Sequence, residues 1–325
     1  MLRRLALLAL VAASGTASAA RPTGRPSTTP GSLARIGFRR LSLAGTRVRE
    51  EAAHGQGAFV VPNEVARVFA KVIAGRARSG GVLAIGSLRG LEDAVTALDG
   101  VDDLPAGFRL IQLDRDPGVT RFNLEHLRAL ASRASRETIR EGLRGMVIGR
   151  HGTFADHLGA LDAVPEEKAH TVLGDPTRFA RARALARSGR ILPVNGDLAG
   201  AHTIRDLGRA LRARGEKLSV IDLSNAGEYV GDGGMDRLAQ NLASLPLSDD
   251  AIVLFTVASE WGVGRPVSAA GAYPFSYFAV SARDLVAAIE RAPAKYRWHT
   301  VAEAALRSAR RDADGLYVVP PGALK

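Results

Sequence analysis

The residues best placed to do chemistry form two polar clusters, each directly after a predicted strand in the middle of the chain. After ILPV and after SVIDL, these residues are Asn195, Gly196 and Asp197, then Ser224 and Asn225, with Tyr229 one helical turn further on. In open α/β sheets, ligands bind beyond the carboxyl ends of parallel strands, so two such ends indicate a binding cleft. The alternative is that these residues only form turns and helix N-caps. The sequence leaves the two interpretations nearly balanced.

Two earlier strand ends carry residues suited to a nucleoside. The strand VLAI leads into Gly86 and Gly90, which supply only part of the G-x-G-x-x-G pattern that lets a backbone approach a phosphate. Asp114 ends the strand RLIQLD, where an acidic side chain can accept hydrogen bonds from both ribose hydroxyls. An acid at this position can equally favour the N-terminus of the next helix through the helix dipole. Both interpretations of Asp114 stay open.

The sequence excludes several kinds of active site. It has no cysteine, which rules out thiolate catalysis and cysteine-bound zinc, and it has neither a G-x-S-x-G elbow nor a Walker loop. His151, Asp156 and His157 lie close in sequence, but the two histidines do not share a helix face, so we expect solvated histidines and no metal. No residue stands out as a nucleophile or general base, and the catalytic residues stay unassigned.

The candidate residues need a sheet to position them. Predicted strands and helices alternate from residue 58 to residue 292, which is typical of a Rossmann-like, doubly wound and mostly parallel α/β sheet. Residues 136–189 carry helical patterns without a strong strand signal, and we interpret them as a helical insertion. The sheet is predicted to close with the strand and helix of YFAVSARDLVAAIERA, which leaves residues 293–325 as a C-terminal extension.

The N-terminal residues predict export. Arg3 and Arg4 precede the apolar run LALLALVAA, and small residues follow at 17–19, as in a signal peptide over residues 1–20. The apolar run is too short for a stable membrane anchor, so we expect a periplasmic or secreted protein with no anchor after cleavage. The alternative is a start codon assigned too far upstream. Residues 21–57 are mostly rich in Arg, Pro, Ser, Thr and Gly, which predicts a flexible lead-in.

The composition argues against a nucleic-acid partner. The 325-residue chain has a net charge of +11, and arginine supplies nearly all of the positive charge. The basic residues are spread along the chain, however, and aromatic residues make up only 5%, too few for base-stacking platforms. A hydrophobic content of 46% is ordinary for a globular protein. The partner, whether a small molecule or a protein, stays unassigned.

Five ordered segments resemble motifs of one bacterial family of unknown function. Asn63-Glu64 resembles its S-N-E motif, and Asp114 with the NLEHL segment resembles its D-x-R…N-L-x-E-H-L segment. ILPVNGDLAG and LSNAGEY resemble its V-x-G-D-[FL]-A-G and L-S-N-x-E-x-Y motifs, and NLASLPLSDDAIVLF resembles its N-x-A-x-L-P-x-D segment. The fold of that family is similar to the class I S-adenosylmethionine-dependent methyltransferases. The resemblance covers roughly Phe59 to Ser281.

This resemblance implies a methyltransferase-like domain over residues 58–292. The cofactor side would be Gly86, Asp114, Gly196 and Asp197, with S-adenosylmethionine as the cofactor. The substrate cleft would be Asn63, Glu64, Asn195, Ser224, Asn225 and Tyr229. The turn GSLRGLEDA departs from the family, which carries a glycine-rich turn followed by Gln-Asn and an aromatic residue.

Two functions follow as expectations. One is methyl transfer from S-adenosylmethionine to an unknown substrate. The other is a non-catalytic binding or scaffold protein that has lost the cofactor site. Export favours the second, because the periplasm has no known supply of S-adenosylmethionine.

Overall fold

One eight-stranded mixed sheet, with helices on both faces, organises the chain. The computed structural model describes residues 41–43, 46–51, 60–62, 64–144, 153–268 and 273–324. The predicted signal peptide, most of the predicted lead-in, Asn63 and His151 lie outside the described residues. In the part of the chain that is described, no helix is both long enough and apolar enough to cross a membrane.

Strands and helices follow one another in the order that the sequence predicts for most of the chain. The strands are β1 Leu41–Leu43, β2 Thr46–Val48, β3 Gly81–Ile85, β4 Leu110–Asp114, β5 Ile191–Asn195, β6 Leu218–Asp222, β7 Leu247–Ala258, β8 Phe275–Ser281, β9 Arg310–Arg311 and β10 Leu316–Val318. The helices are α1 Arg67–Ile73, α2 Leu88–Ala97, α3 Pro117–Ala131, α4 Arg136–Arg144, α5 Phe154–Ala163, α6 Pro165–Lys168, α7 Pro176–Arg187, α8 Thr203–Ala213, α9 Gly227–Val230, α10 Met235–Ala243, α11 Ala282–Arg291 and α12 Arg297–Ser308.

The strand order of the main sheet is β5-β4-β3-β6-β7-β8-β10-β9. The five strands from β5 to β7 run parallel, and β8 pairs antiparallel with β7. The chain winds outward from β3 to β5 and then returns to lay β6 on the other side of β3, so the order reverses between β3 and β6. The predicted Rossmann-like, doubly wound fold is confirmed, and its switch point lies at the carboxyl ends of β3 and β6.

Apolar strands buried on both faces explain why the sheet forms. Along β3, Val82 and Ala84 belong to one core and Leu83 to the other, because alternate side chains of a strand point to opposite faces. Helices α1 to α3 and α7 contribute to the first core. Helices α8 and α10 to α12 contribute to the second. All ten residues of α2 are buried, since this helix contacts β3 and β4 and also α1 and α7.

The region predicted as a helical insertion, residues 136–189, contains four helices in its described part, α4 to α7. The last of them, α7, packs on α3 and α2 and leads directly into β5. Asp175 caps α7 by accepting a hydrogen bond from Arg178 N at 2.8 Å, with Pro176 at the first helical position. Helix α7 is therefore part of the crossover from β4 to β5 and not part of a separate insertion.

The expected lead-in over residues 21–57 is wrong for residues 41–43 and 46–51, which have defined structure. Strands β1 and β2 form an antiparallel hairpin, and Leu43 and Val48 join the second core. Arg49 Nε lies 2.8 Å from Asp206 Oδ2 on α8. The carboxylate of Glu51 accepts hydrogen bonds from the backbone nitrogens of residues 201, 202 and 203 at 2.8 to 3.0 Å. This segment therefore caps the N-terminus of α8, and the ordered fold begins well before residue 58.

We expect Glu51→Gln to lower the free energy of unfolding by about 1 kcal/mol at pH 7, the usual scale for losing a helix cap. Burial disfavours the ionised carboxyl of Glu51, but the hydrogen bonds from residues 201–203 outweigh it and lower its pKa. A lowered carboxyl pKa contributes stability above the unfolded value of 4.5, and this contribution is lost as the pH falls through the folded pKa. The difference between Glu51→Gln and wild type in the free energy of unfolding, measured with urea, should therefore vanish in acid. Glu125→Gln, at an exposed position of α3, is the matched control, and an equal effect of both changes would contradict the capping role.

The C-terminal residues complete the sheet, so the expected extension over residues 293–325 is also wrong. Strand β10 pairs parallel with β8, and β9 pairs antiparallel with β10. Trp298 and Val301 of α12 are buried in the second core. The sheet therefore does not close at β8.

Candidate functional site

A cavity of about 300 Å³ lies at the carboxyl ends of β3, β4, β5 and β6, at the switch point of the sheet. The predicted site residues that line it are Glu64, Gly86, Asp114, Gly196, Asp197, Ser224, Asn225 and Tyr229. Asn195 is not among the lining residues, and Asn63 lies outside the described residues. The volume is at the lower end of the range for small-molecule pockets. The structure thus brings together most of the residues predicted from four separate strand ends.

The turn after β3 needs both of its glycines. Gly86 has a φ of +86°, and a side chain built there would meet nothing within 4 Å, so the cavity edge is open at this position. A Cβ at Gly90 would lie 2.7 Å from the Cβ of Ala84, so this glycine lets α2 pack closely on β3. The carbonyl oxygen of Gly86 accepts a hydrogen bond from Asn123 Nδ2 at 3.0 Å, which fixes the turn. The two glycines provide a left-handed turn and close helix–strand packing, as two of the glycines in nucleotide-binding turns do.

Asp114 shapes the loop after β4 and also lines the cavity. Its Oδ1 accepts a hydrogen bond from Asp116 N at 2.7 Å, which shapes the loop into α3. The same side chain lines the cavity, and its Oδ2 has no hydrogen-bond partner among the described residues. Burial raises the pKa of Asp114 to about 6. One carboxylate oxygen therefore stays available to hydroxyl groups of a ligand.

The polar residues at the end of β5 mostly stabilise the fold. Asn195 Nδ2 donates to the carbonyl oxygen of Asp114 at 2.9 Å, which ties β5 to β4. A Cβ at Gly196 would lie 2.5 Å from Thr203 Cγ2, so glycine is required there for packing. Asp197 Oδ1 accepts from Ala199 N at 2.8 Å in a turn, although Asp197 also lines the cavity. At this strand end Asn195 serves the pairing of β5 with β4 and Gly196 serves close packing, although Gly196 also lines the cavity.

Ser224 and Glu64 form a pair in the wall of the cavity. Ser224 has a positive φ of 50°, and its backbone nitrogen donates to Asp222 Oδ1 at 2.7 Å. Its Oγ donates to Glu64 Oε1. Glu64 is held in place because the next residue, Val65, donates its backbone N–H to the hydroxyl of Tyr277 at 2.6 Å. Burial raises the pKa of Glu64. The sequence predicted both residues for the cleft but not their contact.

Arg89 is a lining residue that the sequence analysis missed. Its side chain is only 4% exposed, its Nε donates to Asp222 Oδ2 at 3.3 Å, and its NH2 lies 3.3 Å from Asp93 Oδ1. Burial raises the pKa of Glu92 to about 8, and burial also raises the pKa of Asp93. Arg89, Glu92 and Asp93 have the spacing of surface ion pairs on a helix, so their burial has no sequence signal.

One aromatic side chain in the lining of the cavity, that of Tyr229, lies beside an acidic residue. Tyr229 is 62% exposed there. Its neighbour Glu228 accepts a hydrogen bond from Ala258 N at 2.7 Å, and burial raises the pKa of Glu228 to about 7. Tyr229 thus offers an exposed aromatic side chain in the lining of the cavity, next to a carboxyl that titrates near neutrality.

The described part of the chain contains no group of three side chains suited to holding a metal ion. The expectation of a solvated His157 is wrong, because its ring packs edge-on against Phe154 with centroids 5.6 Å apart. Burial lowers the pKa of His157 to about 4. This histidine is neutral at pH 7.

Together, these features define a Rossmann-like α/β protein with a ligand-sized cavity at its switch point. The chain belongs to the family described as Domain of unknown function (DUF7790), which matches residues 127–318. The matched range includes the ends of β5 and β6, whereas Glu64, Gly86 and Asp114 precede it. A comparison with curated proteins gave no match.

Proposed function

We propose that this protein binds S-adenosylmethionine in the switch-point cavity and transfers its methyl group to an acceptor that enters past Tyr229. The observation that carries the proposal is the position of Asp114, whose carboxylate lines the cavity at the end of β4, beside the open edge at Gly86. An acid at the end of this strand is where ribose hydroxyls are held in dinucleotide-binding sheets. The resemblance of the five ordered segments supports the choice of cofactor.

The lining residues fit a nucleoside cofactor with a polar tail. Gly86 leaves open space where a side chain would project, and Asp114 offers a carboxylate oxygen to the ribose. Ser87 Oγ and the Arg89 guanidinium are buried in the lining with polar atoms that lack hydrogen-bond partners among the described residues. When bound, the cofactor would supply a methyl group on a positively charged sulfur.

The protein's own contribution to transfer would be positioning and proton removal. Ser224 and Asn225 line the wall through which an acceptor would approach, and fixed orientation is the main source of rate in such reactions. Glu64, hydrogen-bonded to Ser224, would take up the proton that an acceptor hydroxyl or amine releases. Burial raises its pKa, which makes this carboxylate a stronger base than a solvated one.

A second candidate is a binding protein that transfers no methyl group. The specific observation in its favour is that the polar groups after β5 serve the fold. Asn195 ties β5 to β4 and one oxygen of Asp197 shapes the turn, so fewer polar groups remain for a ligand. Export, proposed from residues 1–20, also favours it. Ligand binding without turnover on any acceptor would support this candidate.

We expect S-adenosylmethionine or S-adenosylhomocysteine, at 100 times its dissociation constant, to raise the unfolding midpoint by roughly 5 °C. Asp114→Asn should abolish this shift, because asparagine cannot accept both ribose hydroxyls in the same way. Asp103→Asn, on an exposed loop, is the matched control. No shift at millimolar ligand, with a folded protein, would overturn the proposal.

The same Asp114→Asn variant should be more stable than wild type by about 1 to 2 kcal/mol at pH 7 without ligand. Burial raises the pKa of Asp114 to about 6 from 3.8, so the native state binds a proton more tightly than the unfolded chain does. The stability that this group contributes is therefore full below pH 3.8 and is lost as the pH rises through about 6. Urea unfolding at pH 5 and pH 8 would test this. The gain in the free energy of unfolding of Asp114→Asn over wild type should be larger at pH 8. If the variant is less stable than wild type at both pH values, Asp114 serves the turn alone.

A further inference from the structure

Two tyrosines and two glutamates form a patch beside the cavity, around α9, the end of β7 and the residues just before β8. The members of this Tyr–Glu patch are Tyr229, Tyr273, Glu228 and Glu260. Tyr229 also lines the cavity. We propose that the Tyr–Glu patch binds an alkylammonium group, so that the acceptor of the methyl group is a molecule that carries a positive charge. The statement about the acceptor rests on the proposed function, whereas the ammonium site itself does not.

Hydrogen bonds bring the segments of the Tyr–Glu patch together. Glu228 Oε1 on α9 accepts from Ala258 N at the end of β7, at 2.7 Å. Tyr273 donates its hydroxyl to Glu260 Oε2 at 2.8 Å. Glu260 also lies close enough to Tyr229 and Glu228 for its charge to act on both. The four side chains therefore share one region of the molecule.

The Tyr–Glu patch is open to solvent. Tyr229 is 62% exposed and Tyr273 is 44% exposed. Glu260 is exposed as well, and Glu228 is partly buried between them and the end of β7. A ligand can therefore reach both rings and the carboxylate of Glu260 without any change in the structure.

The two rings of the Tyr–Glu patch are not occupied by a cation of the protein. Two other tyrosines are: Lys295 Nζ lies 4.9 Å from the ring centroid of Tyr296, and the guanidinium carbon of Arg311 lies 5.7 Å from that of Tyr317. In the described part of the chain, no cation lies in this way over either ring of the patch. A cation within about 6 Å of a ring centroid is attracted by the ring face. The rings of the patch are therefore available to a cation of a ligand.

The two carboxylates also lack a cationic partner among the described residues. Glu228 pairs with a backbone N–H, and Glu260 pairs with a phenol hydroxyl. Arg115 lies close enough to act on Tyr229, but in the described part of the chain it forms no ion pair with either glutamate. The chain has a net charge of +11, which opposes the approach of any cation. A cation that binds must therefore be held locally, and carboxylates beside aromatic rings provide such a site.

Two small probes that differ in the ammonium group test the proposal. We would titrate the full chain with Nα-acetyl-lysine methylamide and with Nα-acetyl-norleucine methylamide, and follow the ligand signals by NMR. The norleucine probe has the same backbone and the same apolar stem but no ammonium group. We expect the lysine probe to bind roughly 10-fold more tightly at low salt, and this preference should decrease in 0.5 M NaCl at a fixed pH.

A third probe distinguishes two sources of the ammonium group. n-Butylammonium represents a free alkylamine, and the lysine probe represents a side chain of a peptide or protein. Tighter binding of the lysine probe would assign the Tyr–Glu patch to a peptide, and equal or tighter binding of n-butylammonium would assign it to a free amine. Both results support an ammonium site.

The outcomes separate this proposal from the proposed function. Equal affinities for the lysine and norleucine probes, or binding of neither, would overturn the ammonium site. The thermal shift with S-adenosylhomocysteine is measured separately and does not depend on these probes. A preference for the lysine probe without that thermal shift would support the ammonium site and overturn methyl transfer.

A conservative variant tests the role of the charge. Glu260→Gln keeps an acceptor for the hydroxyl of Tyr273 but removes the negative charge, so we expect the lysine probe to lose most of its preference. Glu125→Gln, exposed on α3, is the matched control and should keep the full preference. If Glu260→Gln keeps it too, the assignment of Glu260 is wrong.

A pair of substitutions tests the role of the ring. Tyr229→Leu should weaken binding of the lysine probe several-fold, whereas Tyr229→Phe keeps the ring and should bind it as wild type does. Tyr296→Leu is the matched control, because Tyr296 is 65% exposed and already has Lys295 over its ring. Unchanged binding by a folded Tyr229→Leu variant would remove Tyr229 from the site.

Discussion

Replacing Arg89 with methionine should lower the free energy of unfolding by about 3 to 5 kcal/mol at pH 7, the usual scale for removing one partner of a buried ion pair. Methionine fills a similar volume but leaves Asp222, which is fully buried, without its cation. The neighbouring carboxyls of Asp93, Glu92 and Glu64 lose the same positive charge. Urea unfolding followed by circular dichroism would measure the effect.

The loss in the free energy of unfolding caused by Arg89→Met should be smaller at acidic pH than at pH 7. Without Arg89, the pKa values of the four carboxyls rise further, so the native variant binds more protons than its unfolded chain. Its stability therefore increases as the pH falls from 7 toward 5, relative to wild type. Arg128→Met, at an exposed position of α3, is the control and should have little effect at either pH. A loss at pH 7 that persists unchanged at pH 5 would show that Arg89 acts through packing against Phe69 and not through its charge.

Gly227→Ala should destabilise the protein by about 3 kcal/mol, at the upper end of the usual range for overpacking a core. Gly227 begins α9, and a Cβ there would overlap the indole of Trp298. Trp298 cannot easily move, because its ring packs against Phe255 with centroids 5.0 Å apart. The unfolding midpoint of the variant, measured beside wild type, tests the expectation.

A second substitution should rescue this variant. Trp298→Phe makes the ring smaller. Gly227→Ala should therefore lower the free energy of unfolding by less in the Trp298→Phe background than in wild type. The double-mutant cycle would then give a favourable coupling energy between the two positions. Gly142→Ala on α4, where an added Cβ meets nothing within 4 Å, is the control and should be neutral or slightly stabilising. Purely additive effects would contradict the contact.

Local patterns were sufficient to predict most of the sheet. The strands β3, β4, β6 and β7 are short apolar runs bounded by polar or glycine residues, and the intervening helices have apolar residues at helical spacing. Strand β10 was missed because it has only three residues and owes its place to pairing with β8. The β1–β2 hairpin was missed for a similar reason, since contacts with α8, distant in sequence, hold it in a polar segment.

The candidate site was predictable in location and less so in detail. Strand ends of a doubly wound sheet meet at one edge, so Gly86, Asp114, Ser224 and Asn225 could be grouped from their positions alone. The roles of individual side chains depend on tertiary contacts, which the spacing of residues in the sequence does not reveal. Arg89 illustrates this, because its burial depends on contacts with Phe69 of α1 and Asp222 at the end of β6, both distant in the sequence.

The central pairing of β3 with β6 has a consequence for folding kinetics. Leu83 pairs with Ile221, and strands β4 and β5 with all of their crossover helices lie between them in the sequence. Contacts between residues so distant in the chain form slowly, because the loop between them must close first. The cavity lies across this junction and is complete only when both halves of the sheet have joined. A ligand that fills it would therefore bind the finished chain, slow its unfolding and leave the rate of folding almost unchanged.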